Sequence, residues 1–386
     1  MSMKALVTAP GNTAVVGDMP IPEPGPHEIR VEVRSIALNP VDALYVAHPS
    51  DGPGRIVGSD IAGIVNSVGE GVQGWKIGDR VAGLLQGATS GNPRPGGFAK
   101  YAILEADLTI GIPSSVSFEE AATLPLCSLT AAQALFIRLR LPAPFPSPFT
   151  FPVPTEPPAV LIYSASTSLG LFTVQLASLL RTASGDPYRI YVTASPRHIP
   201  LLTSLGVPAS HIFDYRSPTW VEDVKKASGG ITHAVDCISE DDSTGRVSET
   251  FVEAGGNLAV IRNATWDKDK VRPNVEALYG AVWSGLGYEL QYNNRILPAS
   301  PTWRAFSVAF FAWLSAGAPD DATRFPIAAN PVRLMPGGLE RVATDGFELL
   351  GAGNVVSRAR VDEKEEEREW MRPISGEKLV YRIGDV

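Results

Sequence analysis

The sequence predicts an α/β protein of two domains, a compact all-β barrel joined to a doubly wound parallel sheet. Three observations carry that prediction. Short β-type runs divided by Gly and Pro fill the first 125 residues, a spacing suited to a barrel. Strand-like and helix-like runs then alternate from residue 159 to residue 261, as in βαβ units. Beyond residue 302 an apolar helix leads back to a closing strand, EKLVYRI at 377–383. A chain of 386 residues is long enough for two such domains, each with a sizeable core.

The barrel strands read MKALVT (3–8), EIRVEVRSIAL (28–38), AGIVNSVG (62–69), DRVAGLL (79–85) and FAKYAIL (98–104). From Phe118 the texture changes. FEEAATLPLCSLTAAQALFIRL (118–139) has helical spacing, with Ser117 ahead of it and Glu119 and Glu120 in its first turn. Eight prolines follow between 142 and 158; the stretch suits neither helix nor central strand and reads as a stiff surface loop. The sheet domain then runs AVLIYSA (strand), LGLFTVQLASLLRTA (helix), YRIYVTAS (strand), HIPLLTSLG (helix), HIFDY (strand), WVEDVKKAS (helix), THAVDCI and GNLAVI (strands). AVWSGLGYELQY (281–292) reads as one more strand, and AFSVAFFAWLSAG and GGLERVATDGFELLGAG as helical. The acidic run DEKEEERE (362–369) reads as a solvated helix face or loop. The expected boundaries are 1–128 with 300–386 for the barrel domain and 129–299 for the sheet domain, the proline-rich loop occupying 141–158.

Composition excludes several classes. A net charge of −8 supplies no basic field for nucleic acid or an anionic membrane. Two cysteines, Cys127 and Cys237, are too few and too far apart for a disulfide framework or a thiolate metal motif. MSMKALVTAP lacks the apolar core of a signal peptide, and the longest apolar stretch, 305–316, is too short to span a bilayer. A cytoplasmic enzyme is expected.

VLIYSASTSLG (160–170) locates its site. A strand feeding a helix in a parallel sheet presents free helix N–H groups at the carboxyl edge, where a pyrophosphate binds. The bend keeps a single glycine, Gly170, and offers the hydroxyls of Ser164, Ser166, Thr167 and Ser168 instead. Taken alone it is equally a Ser/Thr-rich helix cap. The second strand end favours the phosphate reading. NAD sites place a carboxylate there for the ribose 2′-hydroxyl, whereas this chain has Ser195, Arg197 and His198. A guanidinium suits a 2′-phosphate, so NADPH is expected over NADH.

In their order, PEPGPHEIRVEV, ALNPVD, GSDIAGIVNSVGEGV, GDRVAG, GGFAKYAIL, EEAATLPLCSLTAAQAL and SGEKLVYRI resemble the medium-chain dehydrogenase/reductase superfamily over essentially the whole chain. The resemblance implies a GroES-like catalytic barrel, an inserted Rossmann domain and a C-terminal return. Within that superfamily it looks like the zinc-independent, quinone oxidoreductase-like branch. Where zinc relatives carry a Cys and a Gly-His-Glu, this chain has Asn39 and Gly58-Ser59-Asp60, and zinc needs N/S ligands; no metal is expected. The proline-rich insertion, FDYRSP (213–218), HAVDCI (233–238) and the closing GEKLVYR are similar to fungal trans-acting enoyl reductases, which work beside polyketide synthases.

That resemblance implies NADPH held by Val41, Asp42, Ser166, Thr167, Ser168, Leu169, Ser195, Arg197, His198, Tyr215, Ile261, Ser375 and Gly376. It implies a substrate channel past Thr130, Ala134, Ile137 and Trp283. The implied reaction is conjugate reduction of an α,β-unsaturated thioester, small or carrier-bound, with a polyketide synthase as partner. Stabilising the enolate oxygen needs only hydrogen-bond donors, and Asn39 and Thr130 are candidates. Relatives often carry a Lys or Tyr two residues after the NPxD aspartate; this chain has Leu44, then Tyr45. Tyr45 or water is left as proton source. The sequence also leaves open a stand-alone quinone or enone reductase, a non-catalytic NADPH-binding homologue, and the choice of monomer or homodimer.

Overall fold

The computed structural model describes residues 1–89, 91, 94–263, 265–292, 295–351, 353 and 368–384. The acidic run at 362–367 lies outside them. The chain divides into two compact units, one formed by Met1–Leu126 with Trp283–Val386 and the other by Cys127–Val282.

The first unit opens with β1 (Ser2–Ala9), β2 (Thr13–Pro20), β3 (Glu28–Ala37), α1 (Pro40–Ala47), β4 (Asp60–Val68), β5 (Arg80–Leu84), β6 (Tyr101–Glu105), β7 (Thr109–Gly111) and α2 (Phe118–Ala122). Alternation fixes which face is buried: Ile29, Val31 and Val33 enter the core while Arg30, Glu32 and Arg34 stay partly exposed. The single helix expected over 118–139 is broken. Pro125 disfavours helical backbone in the residue before it, so α2 stops and α3 (Pro125–Gln133) starts anew. A π-helical turn, Ala134–Arg138, continues α3.

The second unit holds β8 (Ala159–Tyr163), α4 (Ser168–Ser178), β9 (Arg189–Thr193), α5 (Ile199–Ser204), β10 (Ile212–Phe213), α6 (Trp220–Ser228), β11 (His233–Asp236), α7 (Ser243–Glu249), β12 (Gly256–Val260) and β13 (Val275–Tyr279). They form one six-stranded sheet, ordered β10-β9-β8-β11-β12-β13. Every pairing in it is parallel. This is the strand order of the dinucleotide-binding fold, with its reversal between β8 and β11. Central β8 is buried along Ala159–Ile162 on both faces, as a parallel core strand requires. The proline-rich stretch is irregular, as expected, and is pinned to this unit. Phe145 is buried edge-on against Phe136, ring centroids 5.7 Å apart, and Pro154 and Pro158 accept from Ala183 and Arg189 N–H at 2.9 and 3.0 Å.

The chain then returns through β14 (Leu290–Tyr292), β15 (Arg295–Leu297), α8 (Pro301–Ser315), β16 (Val332–Leu334) and β17 (Lys378–Arg382). In the first unit's main sheet the order is β16-β17-β3-β4-β5-β7, with β6 on β3. Two expectations are corrected here. Residues 281–292 are not one strand: a 3₁₀ helix, Val282–Leu286, precedes β14, which pairs in a hairpin with β15. The boundary expected at 299/300 falls at 282/283, because this hairpin belongs with the barrel. Gln291 C=O accepts from Gly91 N–H at 3.2 Å, and the Tyr292 ring lies 6.1 Å from that of Tyr45. Among the described residues no helix is long and apolar enough to cross a membrane.

Candidate active site

At the carboxyl edge of the parallel sheet, β8 ends in a bend that α4 closes. Ser164 adopts left-handed backbone, φ 60°, unusual for a residue with a Cβ. Two bonds to the next strand hold it there: Ser164 N–H donates to Thr193 Oγ1 and Ala165 N–H to Thr193 C=O, both 2.9 Å. Thr167 caps α4. Its hydroxyl accepts from Gly170 N–H at 3.0 Å and donates to Ser164 C=O at 2.9 Å. That hydroxyl hydrogen is therefore engaged inside the bend and not directed at a phosphate. Ser166 Oγ and the Leu169 N–H are left to face a ligand.

Gly170 tests whether the bend fits a dinucleotide. A Cβ there would stand 2.6 Å from the Ala165 Cα and the Ala165 and Ser164 carbonyl oxygens. These are backbone atoms that cannot step aside, so the helix packs onto the bend as closely as a pyrophosphate site requires. Replacing Gly170 by Ala should lower stability by about 1–3 kcal/mol and weaken dinucleotide binding with it. Thermal unfolding and titration calorimetry of the variant check both effects.

Beside the bend, Ser195 caps the short turn Pro196–His198, its C=O accepting from His198 N–H at 2.9 Å. Arg197 is exposed and makes no hydrogen bond or ion pair with described residues. Tyr215 is 37% exposed and packs edge-on against Tyr163 at 6.5 Å, with the Arg216 guanidinium 5.9 Å from its ring centroid. Asp214, one strand end further on, is neutralised by Arg216 through two bonds of 2.9 Å. At the end of β12, Ile261 N–H donates to Ser239 Oγ at 3.0 Å.

The barrel unit contains a second polar cluster, entirely buried. Gly58 (φ 104°) delivers Ser59 and Asp60 to it; a Cβ at Gly58 would lie 2.0 Å from the Phe98 ring. Asn39 caps α1, and its Nδ2 donates to Ser59 Oγ at 3.1 Å and Asp60 Oδ2 at 2.8 Å. Asp42 accepts from Asn39 N–H and Ser59 Oγ, both at 2.8 Å. Lys378, the first residue of β17, reaches Asp60 Oδ2 at 2.7 Å and Thr123 C=O at 3.1 Å. Asp60 Oδ1 accepts from Leu126 N–H at 2.8 Å. The Lys378 and Asp60 side chains are 2% and 0% exposed.

Two expectations change. Asn39 has committed both amide hydrogens to Ser59 and Asp60, so it is a scaffold residue and not a donor to an enolate. Asp42, expected at the coenzyme, has both carboxylate oxygens engaged in the interior, while its neighbour Val41 is half-buried. A zinc ion does not fit the set either. No thiolate or imidazole is in it, and an ammonium already compensates Asp60. Among the described residues no group of three His, Cys, Asp or Glu side chains could hold a metal.

Burial pushes the Asp42 carboxyl up to about 7, against the lowering pull of the Asn39 N–H and Ser59 hydroxyl. The sign follows. The folded value lies above the unfolded one, so the unfolded chain binds fewer protons between them, and stability falls as pH rises through that window. Asp42→Asn should therefore flatten the decline in unfolding temperature between pH 4 and pH 7. A decline of undiminished slope in the variant would contradict the assignment.

The remaining expected residues divide between the units. Thr130 is half-buried on α3, Ala134 is fully buried and Ile137 half-buried in the π-turn. Trp283 is 2% exposed and belongs to the barrel unit. Tyr45 is 4% exposed, its ring against Tyr292; burial favours the packing role. Ser375 and Gly376 lie on the turn before β17. Arg333 pins that turn, donating to Arg372 C=O at 2.6 Å and Pro373 C=O at 3.0 Å and pairing with Glu377. Sequence reasoning missed Lys378, although a lysine opening an apolar strand is itself a signal of a buried partner. It also missed Arg138, a charge inside the apolar run ALFIRL.

A GroES-like barrel unit and a dinucleotide-type parallel sheet in one chain define an oxidoreductase of the medium-chain dehydrogenase/reductase class. Residues 25–114 match the alcohol dehydrogenase GroES-like domain. Trans-enoyl reductase buaC of Petromyces alliaceus is 30% identical over 384 residues, 98% of this chain and 96% of that one. Enoyl reductase cheB of Chaetomium globosum is 33% identical over 357 residues, 90% of each chain. The chain belongs to the fungal trans-enoyl reductase family. Among solved structures, the CurK enoyl reductase matches the fold with a TM-score of 0.70 at 19% identity, covering 99% of both chains.

Proposed function

We propose that this protein is a zinc-independent, NADPH-dependent enoyl reductase that acts in trans on an α,β-unsaturated polyketide thioester. The observation that carries the reading is the capped bend at 164–170, closed by Gly170 at the carboxyl edge of the parallel sheet, in a chain that aligns end to end with enoyl reductases. The coenzyme would supply the hydride, delivered to the β-carbon, with the α-carbon then taking a proton.

This chain's own residues divide the remaining work. Ser166, Ser168 and Leu169 would meet the pyrophosphate. Ser195 and Arg197, with His198 alongside, would meet the 2′-phosphate, and Tyr215 the adenine. Ile261, Ser375 and Gly376 would complete the coenzyme's surroundings, and Ala134, Ile137 and Trp283 the substrate's. Thr130, half-buried on α3, would donate to the enolate oxygen. Leu44 offers no proton and Tyr45 is packed away, which favours water as the source for the α-carbon. Lys378 in the metal-ligand region supports zinc independence, and a carrier-bound substrate presented by a polyketide synthase fits the family.

The test is NADPH oxidation with a panel of crotonyl-type thioesters, simple enones and quinones. Turnover of the thioesters without turnover of quinones is expected. Quinone turnover alone would favour a stand-alone quinone reductase, and tight NADPH binding without any turnover would favour a non-catalytic homologue.

A further inference from the structure

Arg138 closes the π-turn after α3, where Leu139 N–H bonds back to Ala134 C=O at 2.9 Å. Its side chain is buried, 6% exposed. Nη1 donates to Val260 C=O at 2.8 Å and Gly280 C=O at 3.5 Å, and Nη2 to Thr130 C=O at 3.3 Å. Nε has no acceptor among the described residues, and no described carboxylate pairs with the group. Burial lowers its pKa to about 10, so it is charged at neutral pH. The ionisable groups that bear on it, Tyr279 and Cys237, include no carboxylate, and burial raises the Cys237 thiol, which holds it neutral. A buried cation without a counter-ion is costly, and three carbonyl oxygens offset only part of the lost hydration.

The place is informative. Val260 ends β12 and Gly280 follows β13, so the guanidinium sits at the carboxyl edge of the sheet, where ligands of such sheets bind. Bend and Arg197 belong to the half of the sheet beyond β8; β11, β12 and β13 form the other half. In a two-halved dinucleotide site that other half takes the second nucleotide, which carries the redox ring.

We propose that Arg138 is an uncompensated fixed charge that biases this site toward the reduced over the oxidised coenzyme. The inference rests on the coenzyme reading above. When the C4–H bond of the dihydronicotinamide breaks and the hydride forms a C–H bond at the substrate's β-carbon, the ring goes from neutral to positive while the enolate gains the negative charge. A fixed cation on that side disfavours the first and favours the second. It therefore binds the reduced form more tightly and promotes release of the oxidised form.

The test measures dissociation constants of the full-length protein for NADPH and NADP⁺, and for NADH and NAD⁺, by calorimetry. Adenosine 2′,5′-bisphosphate, which lacks the redox ring, reports whether each variant keeps its fold. Arg138→Met should lower the oxidised-to-reduced ratio of dissociation constants by about tenfold, the order expected for removing one fixed charge from a protein interior. Arg138→Lys should preserve most of the ratio, and binding of the bisphosphate should not change. If Arg138→Met weakens both redox forms equally, or changes neither, the proposal is overturned. Should the Met variant not fold, Arg138→Gln, which keeps two donors without the charge, carries the same expectation. Failure of the unaltered protein to bind any nicotinamide coenzyme would instead reject the functional reading itself.

Discussion

Replacing Lys378 by Met should destabilise the barrel unit by about 3–5 kcal/mol, the range for removing one partner of a buried ion pair. Asp60 would keep its bonds from Asn39 Nδ2 and Leu126 N–H, yet its charge would have no cation against it at 0% exposure. Thr123 C=O would lose a donor as well. The second substitution is decisive. In Asp60→Asn/Lys378→Met neither member of the pair leaves a charge without its partner, so part of the loss should return, and the cycle should be strongly non-additive. Urea unfolding of the two single variants and the double variant gives all the terms. A surface change such as Lys4→Met, whose pair with Asp18 is more than 60% exposed on both sides, should move stability by less than about 1 kcal/mol. If Lys378→Met behaves like Lys4→Met, the buried pair is not what anchors the closing strand.

Arg197→Ala should weaken NADPH binding by roughly 10- to 100-fold, as losing charge-assisted hydrogen bonds of about 1.5–3 kcal/mol requires. NADH binding should change little. The contrast arises because Arg197 is exposed and pairs with no described residue, so its removal breaks nothing internal. The variant should also lose part of the salt dependence of NADPH binding, since an exposed ion contact is screened. Comparable losses for both coenzymes would mean that Arg197 acts through the shape of the turn and not through the 2′-phosphate.

Much of the fold was legible because period and punctuation agree. The alternation in EIRVEVRSIAL and the unbroken apolar run AVLI each state how a strand is buried, and both are strands of those kinds. Legibility failed where tertiary contacts overrode local signal. The Ser/Thr-rich run Ser243–Glu249 has little helix propensity; it forms α7 because buried Asp236 accepts from Ser243 and Thr244 at 2.7 and 2.9 Å. Strand β2 carries Gly17, Asp18 and Pro20 within its run, β7 is only three residues long, and neither they nor β13 gave a clear period. The bend at 164–170 could be found from its position between strand and helix, but which hydroxyl caps and which remains free depends on geometry alone. Asn39 shows the same limit. Its place in ALNPVD marks a site, while its two committed hydrogens depend on Ser59 and Asp60, some twenty residues on, and on the positive φ of Gly58 that brings them there.

One measurement reaches the central claim most directly: reduction of a crotonyl-type thioester with NADPH deuterated at C4 of the dihydronicotinamide, followed by mass and NMR analysis of the product. One deuterium at the β-carbon and a solvent-derived proton at the α-carbon are expected. Product bearing no coenzyme deuterium, or label at the α-carbon, would contradict that claim.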